Sequence, residues 1–123
     1  MLLCKGEKML YEIRNYHYRP DKFDAYRRWA IDLAAPFLTT HLDVIDFWLG
    51  TQDPPEMSGT DPMPLAHGSA NVTWIIRWAD MAARTEGQAI YQSDGWRAIW
   101  AQHPDPGGYL QLEARFAESA TGR

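Results

Sequence analysis

Four segments of the chain alternate apolar and polar residues with a period of two, and the stretches between them repeat apolar residues at helical spacing. The first alternating segment is Lys8–Tyr18, in which Tyr11, Ile13, Asn15 and His17 form one row and Leu10, Glu12, Arg14, Tyr16 and Tyr18 the other. Pro20 then suits a first helical turn. Phe23, Tyr26, Ala30, Leu33, Ala34 and Phe37 follow as one helical stripe, which Pro36 is expected to kink or end near Ala35. The second strand is Val44–Leu49, with Ile45, Phe47 and Leu49 sharing one face, and the third is Ala70–Ala79, where Val72, Trp74, Ile76 and Trp78 alternate with Asn71, Thr73, Ile75 and Arg77. Asp80 is a good N-cap for a helix to about Gln92, and Asp94 for a short helix over Gly95–Gln102. His103–Gly108 reads as a turn, Tyr109–Phe116 as the last strand and 118–123 as a polar tail.

The order is β-α-β-β-α-β. It predicts an α+β, ferredoxin-like domain over residues 9–117, with an antiparallel sheet in the order 4-1-3-2 and both helices on one face. Residues 1–8 read as an N-terminal extension, with Met9 an alternative start to Met1. The stretch 51–69 holds four prolines and two glycines and reads as a long loop, a connector first and a lid or partner site second.

The alternation also sorts the sheet into two faces. Tyr11, Ile13, Phe47, Leu49, Val72, Trp74, Ile76, Trp78, Leu110, Leu112 and Phe116 are expected under the helices. The other face then mixes Glu12, Arg14, Asp46, Arg77, Glu113 and Arg115 with Leu10, Tyr16, Tyr18, Trp48 and Ile75. A solvated face has no need of the large apolar groups, and a buried face does not tolerate isolated charges. A second subunit covering the face satisfies both conditions. The expected homodimer interface is Glu12, Arg14, Tyr16, Trp48, Arg77, Glu113 and Arg115, with Glu12–Arg77 and Arg14–Glu113 as cross-strand pairs. A surface sheet with ordinary salt bridges is the plainer alternative.

Composition narrows the function classes. Twelve Lys and Arg against sixteen Asp and Glu give a net charge of −4, which argues against a nucleic-acid partner. No run approaches the roughly 18 apolar residues of a membrane span, and the opening is too short for a signal peptide. A cytoplasmic location is the expectation. The single Cys4 excludes an internal disulfide framework and a cysteine zinc cluster. No two histidines lie within five positions, so no local metal pair is present and no metal or cofactor is expected. A haem held by His17 or His103 stays open. His41, His67 and His103 read as surface residues.

Six Trp, six Tyr and four Phe make 13% of the chain, which must pack on a core, a partner or a flat ligand. The first strand's expected helix-facing row ends in Asn15 and His17, near the start of the first helix and of the third strand. A pocket of Asn15, His17, Tyr26, Trp74, Trp96 and Trp100 is therefore expected. Tyr26, Trp74, Trp96 and Trp100 would be its ligand wall, and His17 with Asn15 its candidate catalytic pair. A core edge where Asn15 and His17 bond backbone or water is the alternative.

Several segments in order resemble one known family. "MLYEIRNYHYRPDKFDAY" (9–26) is similar to the opening "YELRTY"-like strand and proline-led helix of NIPSNAP proteins, and "VIDFWLGTQ" (44–52) to their second strand. "VTWIIRWADMAARTEGQAIY" (72–91) and "SDGWRAIW" (93–100) resemble their third strand with its helix and the "DPxW" segment. The 51–69 loop is longer than usual for that family. The resemblance implies a dimeric α/β barrel of two face-to-face sheets and brings no agreed catalytic residues. The function it suggests is a homodimeric module binding a small hydrophobic or aromatic molecule. A cofactor-free monooxygenase or isomerase and a protein-interaction module are the alternatives.

Overall fold

The computed structural model describes residues 8–62 and 66–123. Cys4 and the two candidate starts concern residues that lie wholly or partly outside them. Four strands, β1 (Leu10–Tyr18), β2 (Val44–Leu49), β3 (Val72–Trp78) and β4 (Tyr109–Ala117), form one open antiparallel sheet in the order β2-β3-β1-β4. Four helices lie against one face: α1 (Phe23–Trp29), α2 (Ala35–His41), α3 (Met81–Gly87) and α4 (Asp94–Trp100). This is the ferredoxin-like α+β arrangement.

Pro36 does not end the first helix. A widened turn over Ala30–Ala34, in which the Ala35 N–H bonds the Ala30 carbonyl, joins α1 to α2, and the helix runs on to His41. Such an expanded turn absorbs a residue that lacks an N–H. Asp80 caps α3 by accepting the Ala83 N–H at 2.8 Å. At α4 the cap is Ser93, whose Oγ accepts the Trp96 N–H at 3.2 Å, and Asp94 is the first helical residue.

Register decides which residues share a face, because residues directly opposite in a ladder point the same way. Glu12, Arg14 and Tyr16 lie opposite Ile76, Trp74 and Val72, the buried row of β3. Glu12, Tyr16 and Tyr18 are therefore buried beneath the helices. Tyr11, Ile13 and Asn15 lie opposite Arg77, Ile75 and Thr73 on the open face. The expected faces of β1 are thus interchanged. Both rows of β1 carry aromatic residues, and Glu12 and Arg14 pair with each other inside the domain instead of facing a partner.

Two smaller corrections follow the sheet edges. Ile45 is the extra residue where β2 slips register against β3, and it is 47% exposed. Leu112 and Phe116 lie opposite Tyr16 and Glu12 on the helix side, but the helices do not cover β4, leaving them 57% and 41% exposed. Leu110, beside the β1–β4 irregularity, is exposed as well.

Candidate functional site

A cavity of about 470 Å³ lies between the sheet and the helices. Arg14 and Tyr16 on β1, Trp74 on β3 and Phe47 on β2 form its floor. Tyr26, Trp29, Ala34 and Leu38 line it from the first helix, Trp96, Arg97 and Trp100 from α4, and Tyr91, Pro106, Tyr109 and Leu112 complete the wall. The size falls within the usual range for small-molecule sites, about 300–1,000 Å³. The aromatic walls brace one another: Trp29 is 6.2 Å from Trp96 and 5.9 Å from Trp100 between ring centres, and its Nε1 donates to the Ile99 carbonyl at 3.0 Å. Among the described residues no Asp or Glu lines the cavity.

Beneath the floor sits a charge cluster. The Glu12 carboxylate is 2% exposed and accepts four hydrogen bonds. Oε1 takes Trp78 Nε1 at 2.9 Å and Arg84 Nε at 3.0 Å; Oε2 takes Arg84 Nη2 at 3.2 Å and Arg14 Nη1 at 2.6 Å. Burial alone would push this carboxyl up, but the bonds from Arg84, Arg14 and Trp78 win and hold it below the ordinary 4.5. Arg14 also donates from Nε to the Tyr16 hydroxyl at 2.6 Å, and Trp74 Nε1 donates to the same oxygen at 2.9 Å.

A second polar chain backs the far wall. His103 Nδ1 accepts the Asp105 N–H at 3.0 Å, so the neutral imidazole carries its proton on Nε2 and donates to Tyr109 Oη at 2.8 Å. Tyr109 then donates toward Tyr26 Oη at 3.5 Å. Burial pulls the His103 imidazole from 6.5 down to about 4, and pushes the Tyr26 and Tyr109 hydroxyls well above their usual range. His103 is thus a buried residue and not a surface one, and both its ring nitrogens are engaged.

The structure brings Tyr26, Trp74, Trp96 and Trp100 to one cavity, but not Asn15 and His17. Those two lie across the sheet, where Asn15 accepts from Thr73 Oγ1 at 2.7 Å and reaches Glu113 at 3.4 Å. His17 Nδ1 is buried with no partner among the described residues, and its ring is 6.3 Å from exposed His67. Of the expected interface, Trp48, Arg77, Glu113 and Arg115 occupy the open face. Glu12, Arg14 and Tyr16 do not, and Arg77 pairs with Asp43 at 2.8 Å instead of Glu12. Among the described residues no group of three or more His, Cys, Asp or Glu could hold a metal ion, and no helix is long and apolar enough to cross a membrane. The periodicity missed Arg14, Tyr16, Trp29 and His103. Pairing β1 against the clear Val72–Trp78 row would have found the first two.

The fold and cavity define a ferredoxin-like domain with an aromatic chamber under its helices. Solved structures share this fold. A NIPSNAP family protein from Agrobacterium tumefaciens superposes with a TM-score of 0.67 at 15% identity, covering 96% of this chain and 91% of its own. A NIPSNAP domain protein from Burkholderia xenovorans gives 0.65 at 20% identity, with 90% and 94% covered. A candidate antibiotic biosynthesis monooxygenase from Caulobacter crescentus gives 0.53 at 14% identity, with 92% and 91% covered. No family model and no curated protein matches the chain.

Proposed function

We propose that this protein is a NIPSNAP-like homodimer that holds a small, flat organic molecule in the aromatic cavity. The supporting observation is the cavity itself, about 470 Å³ walled by Tyr26, Trp29, Trp74, Trp96 and Trp100, with few polar groups reaching it. Titration calorimetry with 2-naphthamide, a flat uncharged aromatic, tests this. Saturable binding at one site per chain is expected, and Ala34→Phe, which fills the chamber from the first helix, should abolish it. Binding unchanged by Ala34→Phe would contradict the reading.

The dimer draws its support from the open face, where half-buried Ile13 and Ile75 and the 44%-exposed Trp48 lie among Arg77, Glu113 and Arg115. Ile75→Lys should convert a dimer into a monomer in sedimentation at micromolar concentration. A wild-type monomer would remove this part. The lone cysteine suits a reducing compartment, which supports a cytoplasmic location.

A second reading is a cofactor-free enzyme acting on an aromatic substrate. It rests on the His103–Tyr109–Tyr26 chain at the cavity wall, which offers a hydroxyl held by a neutral imidazole, and on the likeness to the Caulobacter protein. Loss of turnover in Tyr109→Phe with ligand binding retained would distinguish it from simple binding.

A further inference from the structure

The Glu12 cluster is not electrically neutral. One carboxylate is shared by two guanidiniums, Arg14 and Arg84, and no other acid pairs with either among the described residues. Four donors already fill the Glu12 oxygens, about the most a carboxylate accepts. One positive charge is therefore left over. Arg84 lies over the Phe116 ring at 4.9 Å, outside the cavity lining, whereas Arg14 forms part of the cavity floor.

Two donors at that floor have no acceptor. Arg14 uses Nη1 on Glu12 and Nε on Tyr16, and Nη2 bonds nothing among the described residues. The Tyr16 oxygen accepts from both Arg14 and Trp74, so its own proton remains to be given away; the residue is 7% exposed and lines the cavity. Arg14 keeps 21% of its side-chain exposure and lines the cavity, so these donors face its open space, and a ligand oxygen placed there takes hydrogen bonds that are otherwise left to solvent. Arg97 adds a second positive charge to the wall, and no acid lines the cavity among the described residues. A cationic ligand would meet repulsion there and an uncharged one would leave the excess charge unpaired.

We propose that the cavity selects flat aromatic carboxylates, anchoring one carboxylate oxygen on Arg14 Nη2 and the other on the Tyr16 hydroxyl. This rests on the reading of the cavity as a ligand site and names the class of ligand. The aromatic walls take the ring system, and the floor reads the charge.

Calorimetry on the full chain with 2-naphthoate and its uncharged isostere 2-naphthamide separates the two claims. Naphthoate should bind at least about tenfold tighter, as a charge-assisted hydrogen bond warrants. Tyr16→Phe and Arg14→Met should each cost naphthoate about tenfold in affinity and cost naphthamide, which keeps only a neutral acceptor, clearly less, so that the preference shrinks. Tyr16→Phe keeps the guanidinium and its ion pair, so it decides the matter if Arg14→Met does not fold. Equal affinity of the wild type for the two probes would overturn the carboxylate selection and leave the cavity reading intact. Binding of neither probe up to millimolar concentration would overturn both. A naphthoate preference that survives both variants and disappears in Arg97→Met would remove Arg14 and Tyr16 as the anchor.

Discussion

Replacing Glu12 by Gln keeps the side chain's shape and removes its charge. Arg84 and Arg14 would then face each other across a neutral amide, whose own N–H donors point at the guanidinium and indole donors that Glu12 now receives. Breaking a buried ion pair from one side costs about 3–5 kcal/mol. The two arginine side chains keep 21% and 19% of their exposure, so water offsets part of this, and a loss near 3 kcal/mol is expected. At roughly 0.05–0.15 kcal/mol per residue, a chain of this length has about 6–18 kcal/mol in all, so the variant stays folded but visibly weakened. Urea unfolding followed by circular dichroism reads it as a midpoint lowered by about 1–3 M at unchanged slope. The same substitution in an Arg84→Met background should cost less, because one of the stranded charges is gone. A cost below about 1 kcal/mol, or equal cost in the two backgrounds, would refute the claim that Glu12 neutralises a buried positive pair.

His103 sets an acid limit on stability. Its folded value lies near 4 against an ordinary 6.5, so the unfolded chain takes up the proton first. Its contribution is complete above about 6.5 and is lost as pH falls toward 4, at most about 3 kcal/mol; a thermal midpoint flat from pH 7 to 4.5 would contradict this. Gly108 is buried, and a Cβ there would come within 2.7 Å of the Tyr18 ring. Gly108→Ala should cost about 1–3 kcal/mol in chemical denaturation by overpacking, and an Ala variant of wild-type stability would show that Tyr18 moves freely. Asn71 bonds both the N–H and the carbonyl of Tyr18, at 2.9 and 2.8 Å. Asn71→Ala should speed hydrogen exchange at Tyr18 and lower stability by about 1–3 kcal/mol, whereas unchanged exchange at that amide would count against the pairing.

The sheet order and the aromatic wall could be read from local signals. In β3, Val72, Trp74, Ile76 and Trp78 contrast sharply with Asn71, Thr73 and Arg77, so the buried row was unambiguous, and Tyr26, Trp96 and Trp100 fall on helix faces by spacing alone. In β1 the contrast is weak, and what makes Glu12 tolerable inside is a set of partners that includes Trp78 and Arg84, 66 and 72 positions away. A period-two pattern holds no information about such a distant partner. Asn15 and His17 follow Tyr11 and Ile13 onto the open face for the same reason. His103 sits in a segment rich in Pro and Gly that reads as an exposed turn, and its burial exists only once Trp29, Trp100 and Tyr109 close around it. The local effect of Pro36 is to interrupt a helix, while the remedy lies in the widened turn before it.

That remedy has a consequence for how the chamber is shaped. A helix that takes in one additional residue rotates everything beyond the joint by about 100 degrees, a full residue step of a 3.6-residue turn. Tyr26 and Trp29 precede the widened turn, Ala34 closes it and Leu38 follows it, yet all four line the same chamber. One continuous helix thus presents two phases, and the seam between them falls on the chamber wall. The seam is matched to Pro36, which is exposed and does not line the chamber. The contour offered to a ligand is therefore governed in part by a residue the ligand would never meet.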